Sequence, residues 1–159
     1  MPFEPIAIVG QGCVLPGALS PEALWEAVVE GRDLLAPAPS GRWGIDRERV
    51  LAHKGEDTLD RATSDRGGYV RGFDEVFDPE GFALPAELVG SLDPVYRWTL
   101  HAAREALRDA RYGGDLGRVA AIFGNLGFPS AGMARYAARA WLGDDAELFD
   151  LAPAAPHER

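Results

Sequence analysis

A chain of 159 residues, 47% apolar and 26% charged, has the make-up of a globular domain or of part of one. Its 25 acidic side chains outnumber the 16 basic ones, giving a formal net charge of −9, and this excludes nucleic acid and anionic lipid as expected partners. Cys13 is the sole cysteine, so no intramolecular disulfide forms. The first residues lack the basic stretch and apolar run of a leader, and no apolar run nears the roughly 20 residues that cross a bilayer. We expect a cytoplasmic protein with no membrane partner.

Ile6, Ala7, Ile8 and Val9 form a continuous apolar run rich in β-branched residues. Such a run predicts a buried strand, central in a sheet, and Gly10 and Gly12 let the chain turn sharply out of it. Ser20 as cap, Pro21 at the first helical position and Glu22 near the positive helix end predict a helix stopped by Gly31. Leu24, Trp25, Val28 and Val29 share its apolar face. Residues 33–66 are broken by Pro37, Pro39 and Gly41 and then turn polar. They predict a long surface excursion with one helical turn near 47–52, pinned to the core by Trp43.

Gly68, Tyr69, Val70, Arg71, Gly72 and Phe73, with Phe77, suggest a short extended segment, and residues 85–89 a brief helix. The strongest helical pattern follows. Asp93 caps, Pro94 starts, and the pattern runs to about residue 111. Val95, Thr99, Ala102, Ala106 and Ala110 form one stripe, with Tyr96, Leu100, Ala103 and Leu107 beside it. This arc predicts burial over more than half the circumference, and the alanines predict close helix packing. His101, Arg104, Glu105 and Arg108 fall on the opposite side. Arg97, Arg104, Arg108 and Arg111 read as a solvated helix face rather than a site for an acidic partner. Val119, Ala120, Ala121, Ile122 and Phe123 predict a second buried strand ended by Gly124. Ser130 caps a last helix carrying Met133, Tyr136, Ala137, Ala140 and Trp141, stopped by Gly143. Residues 144–159 are an acidic, then proline- and alanine-rich tail. The order strand–helix–helix–strand–helix predicts an α/β layered fold over residues 1–143.

No catalytic constellation emerges from these residues. Gly10-Gln11-Gly12 lacks the third glycine of a dinucleotide cradle; Leu15 stands there, followed by Pro16, and the helix starts only at Pro21. The single lysine, Lys54, lies in the polar excursion. Ser130 has half of a nucleophile-elbow pattern and reads as a helix cap. His53, His101 and His157 are scattered in polar surroundings, without metal-ligand spacing, and read as surface histidines. Cys13 is followed by Val14-Leu15-Pro16, so no helix N-terminus activates it, and it reads as a small buried apolar residue.

Several exact words resemble the start of β-ketoacyl synthase (ketosynthase) domains of modular polyketide and fatty-acid synthases. They are Glu4-Pro5-Ile6-Ala7-Ile8-Val9-Gly10-Gln11-Gly12-Cys13 with Leu15-Pro16-Gly17, Ser20-Pro21-Glu22 with Leu24-Trp25, and Glu30-Gly31-Arg32-Asp33. Arg42-Trp43, Gly67-Gly68-Tyr69 with Phe73-Asp74, Leu92-Asp93-Pro94 with Arg97, and Glu105-Ala106-Leu107-Arg108-Asp109-Ala110 continue the series. Asp93-Pro94-Val95-Tyr96-Arg97-Trp98-Thr99-Leu100-His101, and Gly124-Asn125-Leu126 with Phe128-Pro129-Ser130, are most similar to ketosynthases of polyunsaturated-fatty-acid synthases.

The resemblance implies a thiolase-like layered α/β fold of two similar halves, a homodimer, and decarboxylative Claisen condensation. In the family the substrates ride on the phosphopantetheine of acyl carrier protein, and no cofactor is bound directly. The family's nucleophilic cysteine and two histidines lie further along and have no counterpart here. We therefore expect an incomplete N-terminal portion, truncated before the nucleophile and inactive alone, with no catalytic residue and no metal site of its own. The alternative is a non-catalytic remnant that docks on a synthase or carrier protein. By the same resemblance Asn125, Leu126, Gly127 and Phe128 lie near the acyl pocket and the dimer contact, although a glycine turn leaving a strand explains them as well. Without further strands, open edges and apolar surface are expected, and with them aggregation of the isolated chain.

Overall fold

A computed structural model describes residues 5–43, 46–53, 55, 61–124, 130, 132, 133, 136, 137 and 140. The order of elements is α1 (Pro21–Val29), β1 (Ala36–Pro37), α2 (Arg47–Val50), β2 (Arg66–Gly67), α3 (Phe73–Val76), α4 (Ala86–Ser91), α5 (Pro94–Asp109) and a 3-10 turn at Leu116–Arg118.

The helix ends follow local chemistry. Ser20 Oγ accepts from the Ala23 amide at 3.2 Å and Pro21 opens α1. At the other end Gly31 adopts φ 64°, its amide donates to Val28 O at 3.2 Å, and Arg32 N donates to Ala27 O at 2.9 Å. That pair of bonds is a Schellman stop, which favours a residue without Cβ in the left-handed conformation. Asp93 caps α5 by accepting from Val95 N at 3.1 Å, with Pro94 behind it. Ser130 Oγ accepts from Met133 N at 3.0 Å, and residues 132, 133, 136, 137 and 140 are helical, as the sequence predicts. Trp141, Gly143 and the tail 144–159 lie outside the described residues.

The excursion is closed at its base. β1 and β2 pair antiparallel, Ala36 opposite Gly67 and Pro37 opposite Arg66. Around this ladder Arg66 Nη2 bonds Asp33 Oδ2 at 2.6 Å, Ala38 N donates to Asp65 O at 3.0 Å, and Arg71 Nη2 donates to Pro37 O at 2.8 Å. The buried Asp65 has Arg47 Nη2 2.8 Å from its Oδ2, an ion pair by distance whose angles fall short of a hydrogen bond. The helical turn predicted near 47–52 is α2. Trp43 is half-buried and lines a shallow cleft of about 550 Å³ made by the excursion itself.

The two predicted strands are not laddered among the described residues. Residues 6–9 and 119–123 have no sheet pairing, and Ile8 and Ile122 are 84% and 92% exposed. The physical reason is their composition. A run apolar on both faces needs neighbours on both edges and a layer on each side, and the described chain does not supply them. The apolar face of α1 is open for the same reason: Ala27 is buried, but Trp25 is 68% exposed and Val28 and Val29 stand out beside it.

What the N-terminal run does contact is α5. A Cβ on Gly10 would overlap Ala106 O, and one on Gly12 would overlap Ala102 O. Gln11 N donates to Asp109 Oδ2 at 2.9 Å. Two residues of extended chain span about 6.7 Å and one turn of four helical residues about 6 Å, so glycines two apart match alanines four apart. The alanine stripe thus admits an extended backbone, not the second helix that the small residues suggest.

Candidate functional site

Two clefts flank α5. The first is about 600 Å³ and is bounded by residues 11–13, the start of α1, Val76 and the polar side of α5. Cys13 and His101 both line it, with Ser20, Glu22, Glu105 and Asp109. Cys13 is half-buried, and its thiol is pushed up by burial and then by the charge of Glu22. His101 is held below the usual imidazole range by burial; Glu105 opposes that shift and Arg104 and Arg108 add to it. A raised thiol and a lowered imidazole in one cleft are both shifted toward their neutral forms, the opposite of a thiolate–imidazolium pair. Ser20, at the helix start in this cleft, is committed to capping Ala23 N.

The sequence predicts a surface histidine at His101, yet it is 5% exposed. Its ring lies 5.4 Å from that of Phe73 and 6.3 Å from that of Phe77. The guanidinium of Arg97 stands 6.0 Å and 5.9 Å from the same two rings, and that of Arg104 stands 4.7 Å from Phe82. The side of α5 expected to be solvated is therefore covered around Arg97, His101 and Arg104, while Arg108 and Arg111 are exposed as expected and Tyr96 and Leu107, expected inside, are exposed. Helical periodicity counts arginine as solvent-seeking, but its flat cation stacks on aromatic faces and its stem packs like an apolar chain.

The second cleft, about 730 Å³, lies on the apolar side. Leu84 and Leu92 bound it from the α4 side; Val95, Thr99, Leu100 and Ala103 of α5 form its floor, with Phe123, Gly124, Ser130 and Met133 opposite. Gly124 and Ser130 thus bracket the cleft from either end of residues 125–129. Asn125, Leu126, Gly127 and Phe128, the substrate-loop residues expected from sequence, lie outside the described residues. The floor is legible as part of the apolar stripe, but the cleft is not. Its one signal is an apolar arc wider than a single packing partner covers.

Of the other candidate residues, His53 is exposed, and Lys54 and His157 lie outside the described residues. Among the described residues no group of three or more His, Cys, Asp or Glu side chains could hold a metal ion, and no helix is long and apolar enough to cross a membrane.

Comparison with known proteins decides what this arrangement belongs to. The model of the β-ketoacyl synthase N-terminal domain matches residues 3–138. The chain belongs to that family. It is 38% identical over 112 residues to the highly reducing polyketide synthase cla2 of Cladosporium cladosporioides, covering 70% of this chain and 5% of that protein. Over 104 residues it is 36% identical to the mycocerosic acid synthase-like polyketide synthase of Mycobacterium tuberculosis (strain ATCC 25618 / H37Rv), covering 65% of this chain and 5% of that one. The solved structure of the PfaC Keto synthase-Chain length factor superposes with a TM-score of 0.57 at 30% identity, over 65% of this chain and 11% of that one.

The chain spans a small part of each of these relatives. It is ketosynthase N-terminal sequence of the polyketide and polyunsaturated-fatty-acid synthase type, and its elements form the N-terminal portion of a thiolase-like α/β fold.

Proposed function

We propose that this chain supplies the N-terminal share of a β-ketoacyl-acyl-carrier-protein synthase and does not itself carry the chemistry. In the reaction a cysteine thiolate takes the acyl group from a carrier thioester. Malonyl on a second carrier loses CO₂, and the resulting carbanion attacks the acyl carbonyl and expels the thiolate. That sequence needs an activated sulfur, and imidazoles that hold the developing enolate charge. The observations that carry the reading are the family match, which is to the N-terminal domain, and the setting of Cys13, half-buried in a cleft where burial and Glu22 push its thiol up.

The nucleophile and both histidines then come from outside the described residues. The cleft between α5 and Phe123, Gly124, Ser130 and Met133 is where this chain would border the acyl chain, and Asn125, Leu126, Gly127 and Phe128 are the residues this reading would bring to it. Acyl carrier protein with its phosphopantetheine, and a second ketosynthase protomer, are the partners this reading names, with no bound cofactor, in the cytoplasm. The unladdered, exposed residues 6–9 and 119–123 support completion of the sheet by further strands.

The test mixes the chain with the remainder of a ketosynthase domain that contains the cysteine and two histidines. Alone, the chain should take up no acyl group from acyl carrier protein and release no CO₂ from malonyl carrier. Mixed, it should bind and support both. Acylation of Cys13 in the chain alone would overturn the reading. The same exposed edges favour a second role, docking on an intact synthase without catalysis; binding to an intact synthase, with no gain of activity from the remainder, would select it.

A further inference from the structure

We propose that His101 is the release point of an aromatic clasp: taking up a proton there loosens residues 72–82 from α5 and opens the cleft that holds Cys13. The clasp is two facing rows. Phe73, Phe77 and Phe82 form one, with ring centroids 5.1 Å and then 6.4 Å apart. Arg97, His101 and Arg104 form the other, at positions i, i+4 and i+7 along one side of α5. Each end is tied by a permanent cation. Arg97 Nη1 bonds Asp74 Oδ1 at 2.6 Å, and Arg104 Nη1 donates to Asp78 O at 2.7 Å and Glu80 O at 3.1 Å. The centre is tied by the imidazole, through its contacts with the rings of Phe73 and Phe77, and by Trp98, whose ring lies 6.4 Å from that of Phe73; the buried Nδ1 of His101 has no hydrogen-bond partner among the described residues.

A proton on His101 puts a third cation between two others, in a place where no described group accepts from Nδ1. The surrounding acids are spoken for or distant in the cleft. Asp74 is held by Arg97; Glu105 bonds Arg108 at 2.8 Å and lies 3.8 Å from Arg104 Nε; Asp109 takes the Gln11 amide. Glu22 and Cys13 line the same cleft as His101. Glu105 favours the proton, and burial with Arg104 and Arg108 opposes it more strongly. The segment being held has little stability of its own. α3 is four residues long and starts from Gly72 at φ 72° without a side-chain cap.

The released form binds the proton more tightly than the closed form, because the closed imidazole is depressed. The clasp is therefore intact above the ordinary imidazole value of about 6.5 and weakens as pH falls below it.

The experiment is hydrogen exchange of the full chain, read by mass on peptides covering 72–82 and corrected for intrinsic exchange, at about pH 7.5 and about pH 5.5. We expect corrected exchange to rise severalfold, up to about tenfold, at the lower pH in the wild type, and to be flat in His101→Phe, which keeps an aromatic ring and cannot titrate. The same rise in His101→Phe, or no rise in the wild type, overturns the proposal. If His101→Phe loses protection throughout α5, His101→Gln is read instead. It should exchange at the same corrected rate at both pH values, faster than wild type at about pH 7.5, and a pH dependence there as large as that of the wild type would sink the idea.

Discussion

Gly12 lies against the carbonyl oxygen of Ala102 with no room for a methyl group between them. Gly10 repeats the contact one helical turn further on, at Ala106. The two contacts and the Gln11–Asp109 bond fix the N-terminal run on α5 without a sheet. Gly12→Ala should therefore destabilise the chain by about 1–3 kcal/mol, through backbone that has to move apart. Gly90→Ala is the control. It sits inside α4 with nothing within 4 Å of the added carbon, so it should gain about 0.5–1 kcal/mol from helix propensity. Urea unfolding of the two variants would show opposite signs.

The clasp separates packing from charge. Phe73 is buried under α5, and Phe73→Ala should cost about 3–5 kcal/mol. Asp74 is 81% exposed, so Asp74→Ala should cost less than about 1 kcal/mol even though it ends the 2.6 Å pair with Arg97. Arg97→Ala should cost more than Asp74→Ala, because it also uncovers two aromatic rings. Equal losses for the two partners of the ion pair would show that charge, and not stacking, dominates.

Asp33 should titrate below the ordinary aspartate range, because the Leu35 amide first, and Arg66 second, favour its charged form. Arg66→Ala should raise its midpoint only part of the way, leaving the amide contribution in place. With a depressed carboxylate the stabilising effect is present above the unfolded value and fades as pH falls through the folded one. Carboxyl chemical shifts followed through acid titration in both proteins would read this directly. A full return to the ordinary value in Arg66→Ala would contradict it.

Local signals are legible in the sequence, and partners distant along the chain are not. Ser20, Pro21 and Gly31 mark α1, and Asp93 and Pro94 mark the start of α5, because caps and stops act within a few residues. Periodicity misjudges the polar side of α5 because Asp74 and the ring of Phe73 reach Arg97 and His101 from another segment, which a helical repeat does not see. The runs at 6–9 and 119–123 suggest strands by composition alone, and the described chain offers them no ladder. Of the site, the floor of the apolar cleft lies in the predicted stripe, whereas its far wall at Phe123, Ser130 and Met133 is a product of tertiary packing.

Ile122 is 92% exposed, so Ile122→Lys should leave the unfolding midpoint within about 0.5 kcal/mol of wild type. The same change should reduce self-association, since a charge on an open apolar edge discourages pairing with another chain. Light scattering across a concentration series would show it; unchanged scattering would place the sticky surface elsewhere, at Trp25, Val28 and Val29 of α1.

The paired Ala36–Pro37 and Arg66–Gly67 make everything between them a side branch with a tied neck. Length can be added or removed beyond that neck without shifting the trunk, because closing a longer loop costs only about 0.6 kcal/mol per doubling. A tag or a short insertion placed near Gly55 would thus be carried like cargo, and Asp33, Arg66 and Arg71 would still hold the neck shut.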